Sequence, residues 1–363
     1  MMKNKINLTV ATDINGQGGI ATVLNVYKQA GFLSNNSVKL IATHSTNSQF
    51  GRVGAILLYL SALFKVIYYH IFYRVGLVHI HVASRGSYLR KSLLVRVIKT
   101  MGGKVILHLH GAEFRDFYAH ECDPKRQKHI RDTFEMSDSV IVLSSQWIEW
   151  GKSTFERSEH FRLLYNAVPS LETDGKRVPS SYISFLGRVG ERKGLHDLLN
   201  AMVIVKQQCP DVKLLVGGDG EVERFKAIAK DLNLESEVEF MGWVSGKDKL
   251  DVLNKSQVFC LPSYNEGFPM GVLEAMSTGV AVVSTYAGGI PDAIEHRKEG
   301  ILVEAGDSEA LANALIELIQ SPDLHQDYVS NAKRKFDESF SVRAIIPQLQ
   351  NIYDEVSTSR SYS

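Results

Sequence analysis

Short apolar runs alternate with longer amphipathic stretches along this chain, and the alternation starts afresh once, near Tyr182. Such alternation marks parallel α/β layers, because a strand that continues parallel to its neighbour needs a crossover, usually a helix. The first round supplies strands at 6–12, 38–43, 77–83, 104–110, 139–143 and 161–165. The second supplies them at 182–186, 212–217, 238–241, 258–261, 280–284 and 300–303. Helices are expected at 19–30, 195–207 and 308–319, with a last one near 341–353. A chain of 363 residues exceeds the size at which one core keeps growing, so two domains are expected, 1–170 and 171–340, followed by 341–363. The polar, proline-flanked stretch 170–181 is the expected linker.

The densest chemistry lies in Glu266-Gly-Phe-Pro-Met-Gly-Val-Leu-Glu274. The segment 267–271 reads as non-helical and 272–278 as helix, so one glutamate sits on a tight loop and the other near a helix start. Unpaired amides at such a start, together with the peptide dipole, attract phosphate. Carboxylates beside it suit hydroxyls of a sugar or ribose. A second element, Ser184-Phe-Leu-Gly-Arg-Val-Gly-Glu-Arg-Lys-Gly194, follows a short strand and leads into a helix. Its glycines allow close backbone approach. Arg188 and Lys193 project two cations that could neutralise a departing diphosphate without a metal; the alternative is solvated surface charge.

These residues resemble the donor site of retaining glycosyltransferases with the GT-B fold, of the family 4 type (glycosyl transferases group 1), including members that assemble bacterial polysaccharides. The matching positions are Gly187-Arg188, Lys193-Gly194, Glu266 and Glu274. The resemblance extends to Gly16-Gln-Gly-Gly19, His110-Gly111, Gly217-Gly-Asp-Gly220, Gly288-Gly-Ile-Pro-Asp292 and 300–307. Asp292 departs mildly, standing where the family often has glutamate. The resemblance implies two Rossmann-like, doubly wound domains facing across a cleft, with the last helix returning to the first domain. It implies that Arg188 and Lys193 stabilise the leaving diphosphate, that Glu266 holds sugar hydroxyls and that Glu274 holds the ribose. Gly267, Phe268, Met270 and Gly271 would line the sugar and phosphates, with Gly187 beside them. Gly18 and Gly19 would offer a backbone cradle to the donor phosphates or the acceptor. His110 would orient the donor sugar. Departure and attack on one face, with retained configuration, is the implied course. UDP is the favoured donor nucleotide, and no cofactor or metal is expected. Gly16–Gly19 lacks the spacing of a dinucleotide fingerprint, so it is not read as an NAD site.

Charge is unevenly shared. Residues 1–170 hold 21 Lys and Arg against 11 Asp and Glu, whereas 171–363 hold 20 against 29. No acid occurs from Ile14 to Ala112, a stretch with eleven basic residues. A basic half points to an anionic partner. Without an aromatic-basic nucleic-acid module, a membrane surface or anionic lipid head group is favoured over nucleic acid. A basic face that aids solubility is the bland alternative.

The run 53–64 is nearly all apolar, and Lys65 and His70 interrupt it before Tyr73. A spanning helix needs about 20 apolar residues, and a buried lysine argues against one here. Core packing is the favoured reading; aromatic residues dipping into lipid head groups, with flanking cations, is the other. His79, His81, His108 and His110 alternate on two strands. Packed, hydrogen-bonded imidazoles are preferred to a metal site, since no companion acid is present. Three scattered cysteines, Cys122, Cys209 and Cys260, suggest a reduced setting. The first ten residues read as a polar start into a strand, not a secretory signal.

The expected protein is thus a cytoplasmic enzyme, peripheral on the inner face of the membrane. It would move a sugar from a nucleotide sugar to a lipid-linked or other saccharide acceptor. A sugar-nucleotide epimerase of the same fold is a rival, but needs acid–base groups where Arg188 and Lys193 stand. A non-catalytic nucleotide-sugar binding protein is another.

Overall fold

A computed structural model describes residues 5–16, 18–45, 51–171 and 181–359. They form two compact units, one reaching to Ala167 and resuming at Val342, the other Val168–Ser341. The expected linker falls mostly on 172–180, outside the described residues, as does Gln17 of the first glycine loop.

The first unit is built on β1 (Lys5–Ala11), β2 (Val38–Ala42), β3 (Arg74–Val82), β4 (Val105–Leu109), β5 (Ser139–Val142) and β6 (Phe161–Leu163). All pairs are parallel, in the order β2-β1-β3-β4-β5-β6. The order turns back on itself between β1 and β3. β4 and β5 are buried throughout, as expected for strands covered on both faces. The helix Val342–Thr358, which follows the second unit in sequence, packs on β3 of the first.

The helix Gly51–Phe72 also lies against this sheet, on β2 and β3. Ala62 and Val66 are buried in the core, and Tyr59, Leu63 and Tyr69 pack against it. The core reading therefore holds for one face only. Val53, Ile56, Leu57, Leu60, Phe64, Tyr68, Ile71 and Phe72 are exposed. A helix that is apolar all round can turn only part of its circumference to a sheet.

The second unit carries β7 (Tyr182–Leu186), β8 (Lys213–Gly217), β9 (Val238–Gly242), β10 (Val258–Leu261), β11 (Ala281–Thr285) and β12 (Gly300–Val303). They too are all parallel, in the order β12-β11-β10-β7-β8-β9. This is the doubly wound dinucleotide-fold order, and its switch point lies between β7 and β10. Ligands of such sheets bind beyond the carboxyl ends of strands at that point.

Candidate functional site

In the second unit, the turns after β7 and β10 flank the switch point. Gly187 continues from β7, and its amide donates to the Gly217 carbonyl at 3.0 Å; the Val189 amide donates to Asp219 at 2.6 Å. These bonds fix the turn that carries Arg188. The Arg188 side chain is exposed, and no ion pair is found for it among the described residues. A single 3₁₀ turn, Glu191–Lys193, follows and ends on Gly194 in the left-handed region. A Cβ there would lie 1.9 Å from the Pro262 carbonyl oxygen, so only glycine lets the turn press onto the end of β10.

Beyond β10, Glu266 is buried and its position is determined from several sides. Its Oε1 accepts from the Ser263 hydroxyl at 2.7 Å and from the Lys193 ammonium. The Tyr264 amide donates to the Arg192 carbonyl at 2.9 Å, and Arg192 Nη1 donates to the Asn265 carbonyl at 2.8 Å. The turn after β11 closes the other side: the Gly289 amide donates to Gly267 at 3.0 Å, and a Cβ on left-handed Gly288 would stand 1.7 Å from the Glu266 carbonyl oxygen. Lys193 reaches Glu266 past Gly187, where an added Cβ would sit 3.7 Å from Lys193 Cε.

The adjoining helix begins at Met270, two residues before the sequence reading placed it. Pro269 caps it in an extended conformation; Met270 and Gly271 need no intrahelical donor in the first turn, so neither opposes an immediate start. Gly271 approaches β7 closely, its would-be Cβ lying 3.4 Å from the Leu186 carbonyl oxygen. The helix start, the Gly187–Arg188 turn and the Lys193–Glu266 pair thus come together. Met270 is half-buried there. Phe268 contributes backbone only, because its ring is buried against Phe340, centroids 5.4 Å apart.

Glu274 lies one turn further along, buried, with its carboxylate on the Lys249 ammonium from the helix Gly246–Lys255. Burial raises its pKa, and Lys249 acts against that rise. Lys249 and Ser263 were missed by the sequence reading. Ser263-Tyr-Asn-Glu266 has the Ser-x-x-Glu spacing that lets the two side chains meet, a usable signal. Lys249, on an exposed amphipathic helix far from Glu274 in sequence, gives none.

In the first unit, Gly18 has φ 116°, and a Cβ on Gly18 or Gly19 would meet no described residue within 4 Å at the start of the helix Gly19–Gln29. His110 follows β4 and is half-buried. It shares a 2.8 Å hydrogen bond between its Nε2 and His81 Nδ1. Behind it, His79 Nε2 bonds His108 Nδ1 at 3.1 Å, and His79 Nδ1 bonds the Tyr353 hydroxyl at 3.0 Å. The rings stack in pairs, His81 on His110 at 4.9 Å and His79 on His108 at 5.2 Å. Burial depresses all four; His79 and His110 fall to about 3, and His81 and His108 well below their ordinary value. Lys91, buried nearby, is pushed down to about 7 by burial and then by Arg90. Nitrogens of His79, His81 and His108 lie within 4.8 Å of one another, close enough to consider a metal. Both nitrogens of His79 are already in hydrogen bonds, and burial first, then His79, His110 and Lys91, weigh against positive charge on His81. The arrangement suits neutral imidazoles bonded to one another.

Residues 172–335 match the family model described as glycosyl transferases group 1. N-acetyl-alpha-D-glucosaminyl L-malate synthase of Bacillus anthracis is 27% identical over 295 residues, covering 77% of this chain and 74% of that protein. The putative colanic acid biosynthesis glycosyltransferase WcaL of Salmonella typhimurium is 27% identical over 277 residues, covering 72% and 67%. The crystal structure of Anabaena Alr3699/HepE in complex with UDP and glucose matches with a TM-score of 0.75 at 19% identity, covering 96% of this chain and 100% of that one. That likeness is one of fold: two Rossmann-like sheets of the GT-B type.

Proposed function

We infer, for a chain whose residues 172–335 match the glycosyl transferases group 1 model, that it transfers a sugar from a nucleoside diphosphate sugar, UDP being the favoured nucleotide, to a membrane-associated saccharide acceptor in bacterial surface polysaccharide synthesis, with retention of configuration. The observation that carries this reading is the Lys193–Glu266 pair, held at the switch point beside exposed Arg188 and a helix start. A diphosphate at the helix start would meet backbone amides and two cations; positive charge preset where negative charge grows is the strongest kind of catalytic stabilisation. Glu266 would accept from sugar hydroxyls and Glu274 from ribose hydroxyls. His110, as a neutral imidazole, would hold a hydroxyl of the donor sugar. With Arg188 and Lys193 supplying the charge, the reading calls for no metal. The complex of the similar Anabaena protein with UDP and glucose supports the donor class, and the name of the similar Salmonella protein supports the pathway. A cytoplasmic enzyme acting at the membrane face fits this chemistry.

A thermal-shift screen across UDP-, GDP- and ADP-sugars should single out one nucleotide, since a ligand of the folded state raises apparent stability. With that donor, Arg188→Ala should lower kcat by about 10²–10³-fold. Transfer at the unsubstituted rate in that variant would remove the basis of the assignment.

A further inference from the structure

The outer face of the helix Gly51–Phe72 is the largest feature that the donor chemistry leaves unused. Its exposed residues Val53, Leu57, Leu60, Phe64, Tyr68 and Ile71 step by three or four, so they form one stripe along the helix. Exposure is high: Val53 is 66% exposed, Leu57 61% and Phe64 69%. Soluble proteins rarely leave so long an apolar patch uncovered without a partner for it. The neighbouring helix Gly86–Thr100, joined by the Tyr59 hydroxyl donating to the Arg90 carbonyl at 2.9 Å, adds exposed Leu89 and Leu93.

Charge identifies the occupant. Lys65 on the helix, Arg74 just beyond it and Lys39 on the adjacent β2 are all exposed. Neither helix, nor β2 or β3, carries a single carboxylate. An apolar stripe flanked by cations and free of acids matches the boundary of an anionic bilayer, where acyl chains take the stripe and head groups take the cations. The helix is long and apolar enough to cross a membrane. Its opposite face, however, is committed to the sheet through Ala62 and Val66. It can therefore lie in the interface while the sheet stays intact.

We propose that this face docks on an anionic phospholipid surface, with the helix Gly51–Phe72 half-sunk in the interfacial plane. This deepens, and rests on, the reading of a membrane-associated acceptor.

The test uses the full chain with vesicles of phosphatidylcholine alone and of phosphatidylcholine mixed with phosphatidylglycerol. The protein should sediment with the mixed vesicles, less with the neutral ones, and less again at high salt. Leu57→Asp with Phe64→Asp should cut the bound fraction about tenfold or more while thermal unfolding and UDP binding stay unchanged. A Phe64→Trp variant, read against the protein's own three tryptophans, should gain emission that lipids brominated near the head group quench. Three results would overturn the proposal: no vesicle binding, binding that survives the double substitution, or a dimer that the substitution splits in protein that ignores vesicles. UDP binding measured in parallel separates outcomes, since its loss in the unsubstituted protein sinks the donor reading and its retention without vesicle binding sinks only the docking.

Discussion

Two parallel six-stranded sheets, each with a switch point, end in opposite kinds of chemistry. Along β3 and β4 and just past β4 the polar groups are imidazoles, held neutral by burial, with Lys91 pushed toward neutrality beside them. Beyond β7 and β10 they are carboxylates matched with lysines, Glu266 with Lys193 and Glu274 with Lys249. The scaffold does not choose between these; the supply of acids does. Where no carboxylate is available, burial disfavours the charged form of an imidazole or a lysine, and where a lysine faces a carboxylate the pairing opposes that penalty. A site of neutral donors and acceptors can grip sugar hydroxyls, whereas a charged one can also answer a phosphate.

The sharpest way to break this contrast is to unpair the charges. Glu266→Gln leaves the Lys193 ammonium without its counter-ion in a confined place, and should lower transfer by about 10²–10³-fold and folding stability by about 3–5 kcal/mol. The double variant Lys193→Met with Glu266→Gln should regain most of the stability and none of the transfer, measured by denaturant unfolding and donor turnover.

Acid should divide the two ends next. An unfolded histidine takes up its proton near 6.5, whereas folded His79 and His110 hold out to about 3. The unfolded state thus binds more protons across that window, and stability falls as pH drops through it, by about 1.4 kcal/mol per pH unit for each imidazole. Glu274 works in the opposite sense: burial raises its folded pKa above 4.5, so the folded state binds the proton first and gains as pH falls through that interval. Urea midpoints between pH 7.5 and 5 should drop steeply, and His79→Asn should flatten the slope.

The smallest effect concerns Lys249. Lys249→Ala removes the influence that lowers the Glu274 pKa, so the carboxyl should protonate at higher pH. Nucleotide affinity should weaken several-fold, about 1 kcal/mol, and weaken further toward pH 5.5 in calorimetric titration.

Much of the fold was legible because parallel strands are continuous apolar runs: 182–186, 258–261 and 300–303 coincide with β7, β10 and β12. Edges were less so. β3 begins at Arg74 instead of Leu77 because Lys5 and Ile6 pair with Arg74 and Val75, a contact between strands that composition does not reveal. Carboxylates and cations could be named from their motifs. The lysine that serves Glu274 could not, because an exposed helix is full of lysines and only the fold selects one. The helix Gly51–Phe72 was ambiguous for a related reason: a segment apolar on every side carries no periodicity to tell which side meets the sheet.

Helix Val342–Thr358 has a consequence for how the molecule comes into being. Tyr353 completes the His79 bond, Gln350 meets Asn36, and the Val356 carbonyl accepts from Lys104 at 2.8 Å. All three partners are synthesised early and wait for a segment translated after the whole of the other unit. The first unit therefore lacks these three contacts until the chain is complete, whereas the second unit, whose residues run without interruption, can fold without waiting for a later segment.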